Sequence, residues 1–162
     1  MKRLILIYCT LLLTSCGFHL RGTITGLDWL SPIAIDMQQP DHILNIELQN
    51  ALQSNNILIT TIKPKYRLII EHHQFNTQLT SVSSSTTPRQ YLITYSVQYH
   101  LISATGKIII PSHNTLITRQ NTLNNDRILG SETEKHIIER EMIHEIAYRI
   151  VHQLTLARHI TL

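Results

Sequence analysis

At 162 residues the chain suits one domain with a sizeable core, and its formal charge of +3 overstates how basic the working protein is. Setting Lys2 and Arg3 aside leaves 12 basic against 11 acidic residues, with no concentrated basic stripe, which argues against a nucleic-acid binder. Charged residues are sparse beside Ile, Leu, Thr, Ser, Asn and Gln, so the chain can present a weakly charged surface that a partner desolvates cheaply.

The first element is a secretory signal. Lys2 and Arg3 make a short positive region, Leu4 to Leu13 is an apolar run broken only by Thr10, and the small Thr14 and Ser15 precede Cys16. The run falls short of the roughly 20 apolar residues that a membrane-spanning helix needs. Leu13-Thr14-Ser15-Cys16 has the layout of a lipobox, so cleavage is expected before Cys16. The new N-terminus would carry an S-diacylglycerol and an N-acyl chain such as palmitate. Several chains anchor where one does not, because each buried methylene contributes about 0.8 kcal/mol. Gly17 in place of an aspartate makes the outer membrane, periplasmic side, the expected destination. The organisation read from the sequence is a signal peptide at 1–15, a lipid-anchored linker at 16–30 and a single domain at 31–160. With Cys9 removed and Cys16 lipidated, the mature chain keeps no free thiol and no disulfide.

Ile33 to Met37 reads as a short strand between Pro32 and Pro40. Asp41 then caps a helix whose apolar residues Leu44, Leu48, Ala51 and Leu52 fall at helical spacing, ending at Ser54-Asn55-Asn56. Ile57 to Ile62 resembles a strand or an extended arm. A strand is expected from Tyr66 towards Val82. A second runs from Arg89 to Ile102, with Tyr91, Ile93, Tyr95, Val97, Tyr99 and Leu101 on one parity and mostly polar residues on the other. Ala104 to Lys107 forms a turn, and Lys107 to Thr122 returns as a long strand broken at Pro111.

Gln120 to Arg127 reads as a polar linker before the last helix. Ser131 with Glu134 is a capping-box candidate for that helix, and Ile138, Met142, Ile146 and Ile150 give it an apolar stripe. The expected fold is α+β: two helices on one face of a mainly antiparallel four-stranded sheet, in the order β-α-β-β-β-α.

Ten histidines raise the question of a metal. His136, His144 and His152 are eight apart, which rotates each by about 80° from the last on a helix, so they form no ligand row. His72 and His73 point to opposite faces of a strand. No nucleophile elbow and no phosphate-cradling glycine loop is present, so neither an enzyme nor a cofactor is expected beyond the lipid on Cys16. Two features invite binding. The Thr80 to Pro88 connection is rich in Ser and Thr, with Ser83, Ser84 and Ser85 at its centre. Arg89 at its base, with Lys107 and Arg119 on neighbouring strands, can meet anionic phosphates through charge-assisted hydrogen bonds, though solvated side chains fit as well. Tyr91, Tyr95 and Tyr99 fit a core under the helices, and alternatively an acyl chain or a partner wall.

The opening Cys16-Gly17-Phe18-His19-Leu20-Arg21-Gly22 resembles the mature N-terminus of the LptE family of lipopolysaccharide-assembly lipoproteins. The short strand ending at Asp36, the Asp41–Asn55 helix, the Arg89-Gln90-Tyr91 strand and the Glu-rich last helix are similar in spacing. The resemblance implies a plug inside the LptD β-barrel, the pair delivering lipopolysaccharide to the outer leaflet. It implies that the Ser/Thr-rich loop and adjoining strand ends reach into the barrel lumen and meet lipopolysaccharide or LptD. The family often carries a basic residue in the linker or first turn of the last helix. Here Leu129 to Glu134 holds none, leaving Arg127 or Lys135 as substitutes. The competing reading is a generic outer-membrane lipoprotein, a structural partner or ligand binder of another envelope machine.

Overall fold

The computed structural model describes residues 27–81, 89–123 and 128–156. A 3₁₀ turn at Asp28–Leu30 leads into β1 (Ile33–Met37), α1 (His42–Gln53), β2 (Tyr66–Ser81), β3 (Arg89–Ser103), β4 (Ile108–Leu123) and α2 (Ile128–Leu156). The four strands form one sheet in sequence order. β1 runs parallel to β2, and β2–β3 and β3–β4 are antiparallel hairpins. The expected α+β architecture is the one observed, with helices against the sheet.

Local chemistry explains the helices. Asp41 Oδ1 accepts from Ile43 N (2.9 Å) and Leu44 N (3.0 Å), satisfying two of the free amides at the start of α1. Leu44, Leu48, Ala51 and Leu52 are fully buried against the sheet and α2. Beyond the helix Asn56 takes the left-handed conformation (φ 60°), where asparagine is tolerated. On α2 the stripe Met142, Ile146, Ile150 and Leu154, widened by Ala147 and Val151, is fully buried. Ile138 packs at its margin. The two helices are joined by His144 Nδ1 and Glu47 Oε2, 2.7 Å apart.

The parity of β3 holds over its length. Ile93, Tyr95, Val97, Tyr99 and Leu101 are buried, while Gln98 is exposed and His100 half-buried on the other face. Three boundaries differ from the sequence reading. Pro111 does not break β4: the register between Tyr99↔His113 and Leu101↔Ile110 gains a residue on β4, so the proline sits in a bulge of an edge strand. Gln120 to Leu123 belong to β4 rather than to a linker, and residues 124–127 lie outside the described ones. α2 already begins at Ile128, which places Ser131 inside the helix and not at its N-cap. The folded unit also starts ahead of residue 31, since Leu27 and Leu30 are buried in the core. Ile57 to Ile62 is an extended arm touching β1 through one parallel bridge, Ile33↔Ile59.

The helices differ in length, about 18 Å for α1 and about 43 Å for α2 at 1.5 Å per residue. The strands of 15 and 16 residues run about 50 Å. α1 starts at Asp41 beside His73, and its last turn leads back to the end where β2 begins. The near half of the sheet is therefore covered by two helices, while in the far half α2 lies on β3 and β4 and Thr77 and Leu79 of β2 stay exposed. Among the described residues no helix is long and apolar enough to cross a membrane.

Candidate functional site: the polar sheet face and its far end

The outer face of β2–β3–β4 carries amides, hydroxyls and imidazoles that pair with one another across the strands. Gln98 Nε2 donates to Ser112 Oγ (2.9 Å), Ser112 Oγ donates to Glu71 Oε2 (2.8 Å), and Glu71 Oε1 lies 2.5 Å from His100 Nδ1. Further out, Thr94 and Thr118 approach to 3.4 Å, and Gln120 Nε2 donates to Gln90 Oε1 (3.0 Å). From Glu71 to the far end the described side chains of this face include no Asp, Glu, Lys or Arg beyond Glu71 itself, whereas towards the near end Arg67 pairs with Asp36 at 3.0 Å. Leu116 adds an apolar side chain, half exposed, to the same face.

Sequence reasoning did not see the Glu71 network. Glu71 occupies the register shift between Ile70 and His72, and strict alternation cannot say where a bulged residue points.

The inner face changes character along its length. His73 Nδ1 lies 3.7 Å from Asp41 Oδ2, at the start of α1. Past that level Phe75 is half-buried, stacked on Tyr95 with ring centroids 4.0 Å apart, and Thr77 and Leu79 are exposed. The Tyr95 hydroxyl is buried with no hydrogen-bond partner among the described residues. Burial, and secondarily the charge of Asp41, push its pKa well above the usual tyrosine value. Burial raises Tyr99 too, and the neighbouring Thr115 hydroxyl acts in the opposite direction. Tyr95 and Tyr99 thus follow the core reading, whereas Tyr91, half-buried towards the far end, is not part of the core.

The expected basic contacts are dispersed. Arg89 is the first residue of β3, paired with Leu123 at the far end. Lys107 is not on a strand but in the turn before β4, at the opposite end of the sheet. About 50 Å of strand separates the two, so they cannot serve one phosphate group. Arg119 lies on β4 opposite Ile93 and is engaged with Glu145 of α2, which also accepts from Arg149 Nη2 (2.9 Å). Cys16, Ser83, Ser84, Ser85 and Arg127 lie outside the described residues. Lys135 is exposed, 3.7 Å from Glu139. One surface feature was not foreseen: Thr133, His136, Ile137, Arg140 and Glu141 line an open concavity of about 460 Å³ on the first turns of α2. Ile137 there is more than half exposed. Among the described residues no three His, Cys, Asp or Glu side chains converge to hold a metal.

Known proteins give the fold a context. The chain is similar to a minor lipoprotein from Acinetobacter baumannii, with 15% identity and a TM-score of 0.70 over 80% of this chain and 93% of that one. It is similar to an uncharacterized lipoprotein B from Nitrosomonas europaea, with 19% identity and a TM-score of 0.71 over 86% and 90%. The rare lipoprotein B from Shewanella oneidensis gives 15% identity and a TM-score of 0.66 over 81% and 98%. At these identities the likeness shows the fold. No curated protein sequence matches the chain. The family model described as LptE, lipopolysaccharide-assembly, matches residues 30–154, which is every described element from Leu30 almost to the end of α2. The chain belongs to the LptE lipopolysaccharide-assembly family.

Proposed function

We propose that this chain is a lipid-anchored plug and assembly factor of the outer-membrane lipopolysaccharide translocon. It complexes with an LptD-type β-barrel and assists delivery of lipopolysaccharide to the outer leaflet. Family membership supplies the role in lipopolysaccharide assembly. The observation that supports the finer reading is the outer sheet face between Glu71 and the far end, mostly amides and hydroxyls and without Asp, Glu, Lys or Arg among the described side chains, the Arg67–Asp36 pair lying nearer the other end. The lumen of a membrane barrel is polar. A plug with amide and hydroxyl groups exchanges its water for barrel groups without stranding a desolvated ion, which costs several kcal/mol when unpaired. Seating the molecule with its far end inward brings Arg89 and the Ser83, Ser84 and Ser85 connection into the lumen. Lipopolysaccharide phosphates then meet dispersed basic groups rather than one patch.

The test is detergent co-purification of the tagged, lipidated chain from native outer membranes, with partners identified by mass spectrometry. A stoichiometric LptD-type barrel is expected. A photo-cross-linker at Ser84 should then capture that barrel or lipopolysaccharide. Recovery of folded protein with no large barrel would sink the plug reading and leave a lipoprotein of another envelope machine.

A further inference from the structure

The two edges of the sheet are finished differently. On β4 the edge is guarded. Pro111 has no N–H to offer, register shifts on either side of Leu101 distort the pairing, and Arg149 Nη1 donates to Leu116 O (2.9 Å). The opposite edge changes along its length. β1, five residues long, pairs with β2 as far as Met37↔Ile70, and Gln38 N, donating to Ile70 O (2.9 Å), ends that pairing. From His72 to Ser81, β2 has β3 on one side and no described strand on the other. This stretch holds no Pro, Lys, Arg, Asp or Glu, the residues that normally blunt an edge.

The ladder fixes which backbone groups face outward. In an antiparallel pair, successive residues direct their N–H and C=O alternately to the two sides. Leu116 O is turned out to Arg149, so Leu116 does not bond to Ser96 opposite it, and Ser96 bonds instead to Gln74 on β2. Phe75, Thr77 and Leu79 then turn their N–H and C=O to the open edge, as Ile70 does before the bulge towards Gln38. Their side chains lie on the inner face, where Thr77 and Leu79 are exposed and Phe75 is half-buried. Gln74, Asn76 and Gln78 alternate with them on the outer face, all exposed. α1 begins at the level of His73 and α2 lies on β3 and β4, so neither helix closes this edge.

Donors and acceptors at this repeat are matched by another extended backbone, and the free length from His73 to Leu79 takes a strand of about 23 Å. We infer that this edge of β2 pairs with an extended, uncharged segment of the barrel partner. That segment carries β-branched or aromatic side chains on the parity beside Phe75 and Leu79, and amides or hydroxyls on the parity beside Asn76 and Gln78. This rests on the plug reading, which puts the far half of the sheet inside the lumen. The wall strands of a closed barrel are already paired on both sides, so the segment is a loop turned into the lumen. Main-chain bonds supply the affinity and the two side-chain parities the selectivity.

The experiment is amide hydrogen exchange at single-residue resolution on the lipidated chain alone and on its complex with the barrel. In the chain alone, Phe75, Thr77 and Leu79 should exchange fast and Asn76 and Gln78 slowly. In the complex the fast amides should slow by about tenfold or more, so that the alternation disappears. Thr77→Pro removes an outward N–H, so the chain alone should keep its far-UV spectrum while barrel recovery falls by about fivefold. Thr77→Lys, which guards the edge with a charge and keeps the backbone, should act in the same direction. Alternation that persists in a complex containing the barrel, or full barrel recovery with both variants, overturns the proposal and leaves the plug reading standing. Purification without any barrel removes the plug reading and this occupant with it. Alternation that fades in the barrel-free chain as its concentration rises assigns the edge to a second copy and also overturns the proposal.

Discussion

The Tyr99 hydroxyl donates to Gln153 Oε1 at 2.5 Å, and Thr115 Oγ1 donates to the same oxygen at 2.7 Å. One amide of α2 thus satisfies a buried phenol on β3 and a buried hydroxyl on β4. Gln153→Ala leaves both hydroxyls without that acceptor in a dry site, where an unsatisfied group costs about 1–3 kcal/mol. Urea unfolding should show a loss in that range. A Tyr99→Phe/Thr115→Val chain, which removes the donors instead, should lose less, and equal losses would mean the network carries no such asymmetry.

Tyr95 presents the opposite case. Its hydroxyl is already unpartnered among the described residues, so Tyr95→Phe removes a buried polar atom and should leave stability at neutral pH unchanged or higher. The folded pKa of Tyr95 lies above the ordinary tyrosine value near 10, because burial disfavours the phenolate. Its neutral form is therefore favoured by folding. That contribution is complete below pH about 10 and is lost as pH rises through the folded value. Urea midpoints should fall above pH about 10 in the native chain and fall less in Tyr95→Phe. Parallel curves for the two chains would count against the assignment.

Asp41 caps α1 through two amides and also faces His73. Asp41→Ala should cost about 1 kcal/mol of stability, and Asp41→Asn only a fraction of that, since asparagine caps nearly as well. Thermal unfolding of the pair measures the difference. A like loss for both would shift the explanation to the carboxylate charge beside His73.

Arg119 and Glu145 join β4 to α2 at partly exposed positions. A double-mutant cycle on Arg119→Ala and Glu145→Ala should give a coupling below about 1 kcal/mol, because solvent screens the pair and Glu145 keeps Arg149. A larger coupling would mark this contact as a main fastening of the long helix.

How much the sequence reveals depends on whether the signal is local. The Asp41 cap, the stripe of Leu44 and Leu48, the alternation from Tyr91 to Leu101 and the Met142–Ile150 stripe repeat at the period of their own element, and each lies where its period places it. The parallel partnership of β1 with β2 spans the whole α1 excursion, and nothing in Ile33–Met37 encodes it. Arg119 reads as a free cation until α2 brings Glu145 beside it. Lys107 reads as a neighbour of Arg89 until strand length sets them at opposite ends. Pro111 reads as a break because sequence alone does not tell an edge strand from a central one.

The unequal helices have a mechanical consequence. With α1 about 18 Å and α2 about 43 Å on strands of about 50 Å, the molecule is a wedge, thick where the chain enters and thin where β2 turns into β3. A wedge enters a closed ring thin end first and stops where its width meets the rim. On the proposed plug reading, insertion depth is set by where α1 begins, at Asp41, and lengthening that helix beyond its cap would seat the molecule higher.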